Sequence, residues 1–383
     1  MNRNLHVVQI IDSLGAGGAE QLIVTFAEVA KAKDLKVTVI SLMDDAKYRP
    51  DSSHTAQLKA LGVNVYSIET HKLYELRPIF RLLKIFRQEK FDVVQTHLSH
   101  GDILGAFVGW LTGTPVVATL HTPNPRRIGH YLIRQYIWYF ALRHLSRRVI
   151  AVGRVVENIY QDILGASKID LVLNAVKIEQ PLLPLDREAL RREVLSGDSN
   201  RPFILCVGRL VDGKGLFELI TAFARVLEKH SGAMLVFAGD GELRQSLEAE
   251  VNTLGLVNSV RFLGMRDDIP RLLGAADIYV SASFWEGMSI ALLEAMAAGL
   301  PIVATAVGEA PYLLAEDRGV LIPPKDISAI ENGLCQVLDN PSCASAMGLA
   351  ARKYAIDYCS PDIWLESLME IYSKAMGAVQ HEQ

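Results

Sequence analysis

The sequence predicts an α/β protein made of two tandem, doubly wound domains, each a mostly parallel sheet with helices on both faces. Three observations carry this prediction. Short apolar runs alternate with amphipathic stretches along nearly the whole chain. The rhythm breaks once, over 177–202, and then restarts. The charge also changes sign at that break: residues 1–175 carry a net +6 and the remainder a net −10. At 383 residues the chain is too long for one ordinary core.

In the first half the apolar runs predict strands over 6–11, 36–42, 63–67, 92–96, 115–120, 148–152 and 170–173. Helical periodicity fills the intervals over 19–32, 54–61, 77–89, 101–111, 129–146 and 157–164. Strand, helix, strand in this rhythm implies right-handed crossovers. The segment 177–202 has three prolines and mixed charge, and reads as a linker with one charged helix. Strands then follow over 203–207, 234–238, 260–263, 277–281 and 301–305. Between them lie helices over 215–229, 242–254, 268–273 and 289–298, with a helical tail over 326–376. The predicted domains are 1–175, with a C-terminal helix of about 360–383 packing back on it, and 176–359. In such sheets ligands bind where the strand order reverses, and two sheets facing each other would enclose a central cleft.

Composition narrows the function. Half the residues are apolar and 21% are charged, which excludes a disordered or collagen-like chain. Neither half has a dense basic arm or an interleaved aromatic stacking motif, so nucleic acid is not an expected partner. The four cysteines form no CxxC pair and read as reduced thiols of a cytoplasmic protein. The N-terminal apolar run is interrupted by Asp12 and does not read as a signal peptide. Residues 103–120 are uncharged but hold three glycines, a proline and three threonines, and read as a buried helix and strand.

Several strand-to-helix turns carry chemistry. Gly15, Gly17 and Gly18 follow the first strand as GxGG, which suits an anion at a helix N-terminus or a tight turn. The spacing is not GxGxxG and no acid ends the second strand, so a dinucleotide site is not expected. The second half opens with Gly208-Arg209-Leu210 and Lys214-Gly215. Arg209 ends a strand and Lys214 starts a helix, so both cations can reach one diphosphate. Gly239-Asp240-Gly241 ends the next strand. Glu286 precedes a helix and Glu294 lies within it. Eight helical residues turn about 800°, about 80° past two turns, so both carboxylates can share one side. In so apolar a stretch they read as acceptors for hydroxyls. His121 follows a buried strand, where a structural and a catalytic role are both open.

Taken together these residues resemble the retaining glycosyltransferases of family four, which have the GT-B fold. The resemblance runs along nearly the whole chain and is most specific at E-x7-E, Glu286 to Glu294, with the ALLEAMAAGLPIVAT run around it. It implies that Arg209 and Lys214 bind the donor diphosphate and stabilise it as leaving group. It implies that Glu294 takes the ribose hydroxyls, that Glu286 holds sugar hydroxyls near the reacting carbon, and that His121 approaches the donor sugar. The amides of Gly17 and Gly18 would assist at the phosphate, and the base would lie near Met265 and Arg266. The implied donor site therefore comprises Gly17, Gly18, Arg209, Lys214, Asp240, Gly241, Met265, Arg266, Glu286, Gly287, Met288, Ser289 and Glu294.

Two departures stand out: Glu309 and Tyr312 alter a GGxPE-like turn, and Ala175 replaces the glycine of an NGV turn after Asn174. No D-x-D occurs, so no metal or other cofactor is expected; the two cations would neutralise the leaving phosphates.

The implied activity is transfer of a sugar from a nucleotide-diphospho-sugar to a hydroxyl acceptor, in cell-surface polysaccharide or glycolipid assembly. A sugar-nucleotide epimerase is an alternative, as is an inactive nucleotide-sugar-binding partner subunit, for which the altered turn at Glu309 and Tyr312 is the sequence hint. Residues 103–156 hold seven arginines (126, 127, 134, 143, 147, 148 and 154) and no acid. Within 130–148 these alternate with aromatic residues, as in a helix lying on anionic lipid or a partly buried helix with solvated arginines. The first reading adds a peripheral position on the inner face of the cytoplasmic membrane and a lipid-linked acceptor.

Overall fold

The computed structural model describes residues 5–15, 17–43, 53–70, 75–123 and 131–377. Arg126, Arg127 and His130 lie outside the described residues. The chain divides into two compact units: residues 1–175 with 361–383, and residues 176–360.

The first unit is built on a seven-stranded sheet of order β3-β2-β1-β4-β5-β6-β7. Its strands are β1 (His6–Ile11), β2 (Lys36–Ser41), β3 (Asn64–Ser67), β4 (Val93–His97), β5 (Val116–Leu120), β6 (Arg148–Ala151) and β7 (Ile169–Leu171). Every pairing is parallel. The central strands β1, β4 and β5 are buried at every residue, as a sheet covered on both faces requires. The helix Pro361–Gly377 belongs to this unit and packs on the helix Gly18–Ala32. There Phe26 meets Trp364 and Tyr372 edge to face at 6.1 and 6.4 Å.

The second unit has a six-stranded parallel sheet of order β10-β9-β8-β11-β12-β13. The strands are β8 (Phe203–Val207), β9 (Met234–Ala238), β10 (Val260–Phe262), β11 (Ile278–Ser281), β12 (Ile302–Thr305) and β13 (Val320–Ile322). One core face joins Ile204, Leu235, Phe237, Val280 and Val303 to Phe223 and Val226 of the helix Leu216–Lys229. The interdomain stretch does hold one helix, Pro184–Val194, whose Arg191 binds both oxygens of Asp277.

In each unit the order reverses beside the first strand, between β1 and β4 and between β8 and β11. The carboxyl ends of those strands carry most of the residues singled out above. Some elements differ from expectation: the second sheet has a sixth strand, Val320–Ile322, where no strand was expected. The helix expected over 129–146 is α-helical over Tyr131–Phe140 and continues as a π-helical turn over Ala141–Leu145.

Candidate active site

In the second unit, β8 runs into Gly208 and exposed Arg209, and the turn after them ends at Gly215. Gly215 has φ +63°, and a Cβ there would lie 2.0 Å from the carbonyl oxygen of Ala282. Only glycine lets the Lys214 turn press against the loop that follows β11. Across that contact the Lys214 ammonium donates to Glu286 Oε1, which also accepts from Ser283 Oγ at 2.8 Å. Ser283 is held in turn, its carbonyl accepting from Thr305 Oγ1 of β12 at 2.6 Å. Cys206, Gly208, Arg209, Lys214, Ser281 and Glu286 line one recess.

The two carboxylates do not share one helix, as an angle of about 80° between them would require. The helix spans Ile290–Ala298, capped by Ser289, whose hydroxyl accepts from Leu292 N at 3.3 Å. Glu286 lies outside it and is placed by its loop, so only Glu294 is oriented by helical geometry. Both still act on one neighbour: Tyr279 is fully buried, and its hydroxyl pKa is pushed up by burial and then by Cys206, Glu286 and Glu294. Burial also raises the Glu294 carboxyl to about 7.

Gly287 and Met288 are buried in the same loop, and the Gly287 carbonyl accepts from Glu309 N at 3.0 Å. This contact depends on Gly308, at φ +54°, where a Cβ would lie 2.3 Å from Gly287 O. Glu309, the unusual residue of that turn, is 2% exposed, and Tyr312 is partly exposed. After β9, exposed Asp240 binds the Gly241 amide at 2.7 Å, and its carbonyl accepts from Leu210 N at 3.0 Å. Met265 is exposed beyond β10. The Arg266 guanidinium is bound by both oxygens of Asp268 at 2.7 Å and by Glu193 at 3.2 Å, so what this turn has left to offer a base is its backbone.

In the first unit, Gly17 caps the helix Gly18–Ala32. A Cβ on Gly17 would lie 2.3 Å from Glu20 Oε2, so the helix already holds an acid of its own beside that terminus. His121, past the end of β5, lines a cavity of about 320 Å³ with Asp12, Ser99, Asp102, Arg134 and Trp138. Asp102 is 1% exposed and accepts from Thr96 Oγ1 and Trp138 Nε1, both at 2.7 Å. Burial raises its carboxyl to about 7. Asp12 accepts from the Gly101 amide at 2.7 Å and lies 3.1 Å from His100 Nδ1. Asn174 and Ala175 are buried at the end of the unit.

His121 Nε2 lies 2.9 Å from Nδ1 of the buried His97, at the end of β4. Sequence reasoning missed His97, Asp12 and Asp102. Asp12 and His97 sit at strand ends beside the order reversal, a signal that the strand pattern alone could have supplied.

The described part of the arginine-rich stretch is strongly amphipathic. Ile133, Tyr136 and Phe140 are 70%, 72% and 57% exposed. An open groove is lined by Tyr136, Ile137, Phe140, Arg143 and Ile163. Lys168 is pushed down to about 8 by burial and by Arg147, Arg143 and Arg148, which places four cations close together. Among the described residues no helix is long and apolar enough to cross a membrane.

Comparison with known proteins bears on the family and the fold. Residues 16–180 match the model described as Glycosyltransferase Family 4, and residues 186–354 match that described as Glycosyl transferases group 1. An Escherichia coli relative is the UDP-Gal:alpha-D-GlcNAc-diphosphoundecaprenol alpha-1,3-galactosyltransferase. It is 31% identical over 275 residues, covering 70% of this chain and 71% of its own. A Corynebacterium glutamicum relative is a GDP-mannose-dependent monoacylated alpha-(1-6)-phosphatidylinositol monomannoside mannosyltransferase. It is 31% identical over 205 residues, covering 51% of this chain and 53% of its own. The crystal structure of Anabaena Alr3699/HepE in complex with UDP-glucose superposes with a TM-score of 0.84 at 21% identity. It covers 97% of this chain and 100% of the other. The fold is therefore that of the GT-B enzymes, with two Rossmann-like domains.

Proposed function

Because the chain belongs to glycosyltransferase family 4, we propose that it transfers a sugar with retained anomeric configuration from a nucleoside-diphosphate sugar to a hydroxyl of a lipid-linked saccharide. The observation that carries the reading is the recess beside the order reversal of the second sheet. There Arg209 and Lys214 meet the Glu286 loop.

In this reading the donor diphosphate takes the Lys214 ammonium from Glu286, and Arg209 joins it. Two cations facing the leaving group supply the charge stabilisation that a metal provides elsewhere. Glu286, released, accepts from sugar hydroxyls, and Glu294 accepts from the ribose. The base lies against the backbone near Met265 and Arg266, and the amides from Gly287 to Ser289 complete the donor site. Asp240 and Gly241 shape the rim.

The acceptor oxygen attacks the anomeric carbon from the face the diphosphate leaves. The C–O bond to phosphate breaks, the new C–O bond forms, and the acceptor proton passes to a phosphate oxygen. A trapped covalent glycosyl-enzyme would overturn this route.

The Escherichia coli relative supports a UDP-hexose and a diphospholipid-linked N-acetylhexosamine as the first donor and acceptor to try, towards cell-surface polysaccharide or glycolipid. The exposed apolar face of Tyr131–Phe140 beside Arg143, Arg147, Arg148 and Lys168 supports contact with an anionic bilayer, on the cytoplasmic side where nucleotide sugars are made. Turnover of a UDP- or GDP-sugar panel by wild type and by Lys214→Ala tests the reading. Activity lost in the variant supports it; equal activity would leave the recess without a catalytic role.

A further inference from the structure

Four polar side chains stand together on one face of the first sheet, Gln9 on β1, Gln95 and His97 on β4 and Thr119 on β5, and a fifth, Tyr372, comes from the helix Pro361–Gly377 that packs there. All five are buried. The pairing places Gln9 opposite Gln95 and His97 opposite Thr119. Buried amides and imidazoles are costly unless each is bonded, so this row must be a connected network.

It is connected. Gln95 Nε2 donates to Thr119 Oγ1 at 2.8 Å, and Gln95 Oε1 accepts from the Tyr372 hydroxyl and from Gln9 Nε2, the latter at 3.0 Å. That orientation turns Gln9 Oε1 toward His97 Nε2, 2.7 Å away. An amide oxygen only accepts, so His97 carries its proton on Nε2. Burial, with His121 beside it, holds the His97 pKa well below the ordinary histidine value, and burial holds His121 at about 4. Both rings are therefore neutral at pH 7. A neutral His97 protonated on Nε2 has a bare Nδ1, which can only accept, so the proton of the 2.9 Å contact belongs to His121 Nε2. The His121 Nδ1 atom is left as an acceptor on a ring that lines the cavity with Asp12, Asp102 and Arg134.

The backbone agrees. Leu98, directly after His97, has φ +65°, a conformation that a leucine adopts only where its surroundings force it. β4 therefore ends in a strained turn directly after His97.

We propose that His97 is a positioning residue, which together with Gln9, Gln95 and Tyr372 fixes His121 as the Nε2-protonated tautomer and presents Nδ1 as a hydrogen-bond acceptor for a substrate hydroxyl. The returning C-terminal helix thereby contributes to the site through Tyr372. The kinetic part of the test rests on the glycosyltransferase reading; the tautomer itself does not.

The experiment uses the full chain labelled with ring-15N histidine, with His121 signals identified by their loss in His121→Asn. Long-range proton–nitrogen spectra at pH 7 are expected to show one neutral His121 tautomer, protonated on Nε2. His97→Phe is expected to yield both tautomers. His97→Gln, whose amide can accept from His121 and donate to Gln9, is expected to keep the wild-type one. On the donor that wild type turns over, His97→Phe should lower kcat about 10–100-fold, by analogy with loss of the hydrogen-bond partner that orients a metal-bound histidine. UDP affinity should not change, and His97→Gln should recover most of kcat. Tyr372→Phe, which keeps the ring and removes only the hydroxyl, gives a second variant should His97→Phe fail to fold. It is expected to weaken the tautomer preference and to lower kcat to a smaller extent. A wild-type His121 protonated on Nδ1, or present as both tautomers, overturns the proposal. So does a His97→Phe enzyme with wild-type kcat. If wild type turns over no donor, the glycosyltransferase reading fails while the spectra still decide the tautomer.

Discussion

The Lys214 ammonium is bound to Glu286 Oε1, so the cation expected at the leaving phosphate and the carboxylate expected at the sugar neutralise each other across 72 residues of sequence. Both side chains are partly exposed, at 28% and 19%. Such a pair contributes only ~0–1 kcal/mol to stability. In the proposed reading the donor diphosphate breaks it. Lys214→Ala is expected to melt within a few degrees of wild type while kcat/KM falls about 10²–10³-fold, as when one preorganised donor to a developing anion is removed. Calorimetry and steady-state kinetics on the same sample check both parts.

Glu294 predicts a pH dependence. Its carboxyl is raised to about 7, above the ordinary value of 4.5, so the folded state holds a proton that the unfolded state has lost. That contribution to stability is fully present below about pH 4.5 and is lost as pH rises through about 7. Glu294→Gln is therefore expected to gain thermal stability over wild type at pH 8 and to match it near pH 4.5. If, as proposed, ribose hydroxyls bind the ionised form, nucleotide affinity of wild type should strengthen between pH 6 and 8, and the variant should show no such rise. Thermal scans and UDP titrations at three pH values distinguish these outcomes.

The Lys214 turn should be intolerant of a side chain. Gly215→Ala puts a methyl 2.0 Å from Ala282 O at φ +63°. Destabilisation of more than about 1 kcal/mol is expected, or about 2–4 °C in the melting temperature for a unit of this size. A melt unchanged from wild type would contradict the account of this turn.

Membrane contact through the exposed face makes a separable prediction. Ile133→Asp with Tyr136→Asp should abolish co-sedimentation with vesicles containing anionic lipid and leave turnover of a soluble acceptor unchanged. Wild-type binding should fall with added salt, because Arg143, Arg147, Arg148 and Lys168 supply the attraction. Vesicle binding that ignores both anionic lipid and salt would sink this part.

Much of the fold was legible because its elements are local. Most buried strands of both sheets are largely apolar runs, the strand-to-helix turns are marked by Gly208, Gly215 and Gly239, and Gly299 marks the end of the helix Ile290–Ala298. The π-helical turn at Ala141–Leu145 was not legible, since the arginine and aromatic periodicity runs through it unbroken. Lys214 and Glu286 stand in strand-to-helix loops and His121 just past a strand end, places that recommended them, but the Lys214–Glu286 pair joins separate turns and leaves no local mark. The His97 network is the clearest case. Gln9 and Gln95 look like lapses in apolar strands until Tyr372, 363 residues from Gln9, arrives to complete their bonds. Asp102 likewise gains its meaning only when Trp138 reaches it from another helix.

The central claim is retaining transfer from a nucleotide sugar at the Lys214–Glu286 recess. Proton NMR of slow donor hydrolysis tests it most directly, using a panel of UDP- and GDP-sugars with the wild-type protein. The account predicts that one donor is consumed, that the sugar first released keeps the donor's anomeric configuration, and that Lys214→Ala releases it about 10²–10³-fold more slowly. Release of the opposite anomer, or undiminished hydrolysis by the variant, would contradict it.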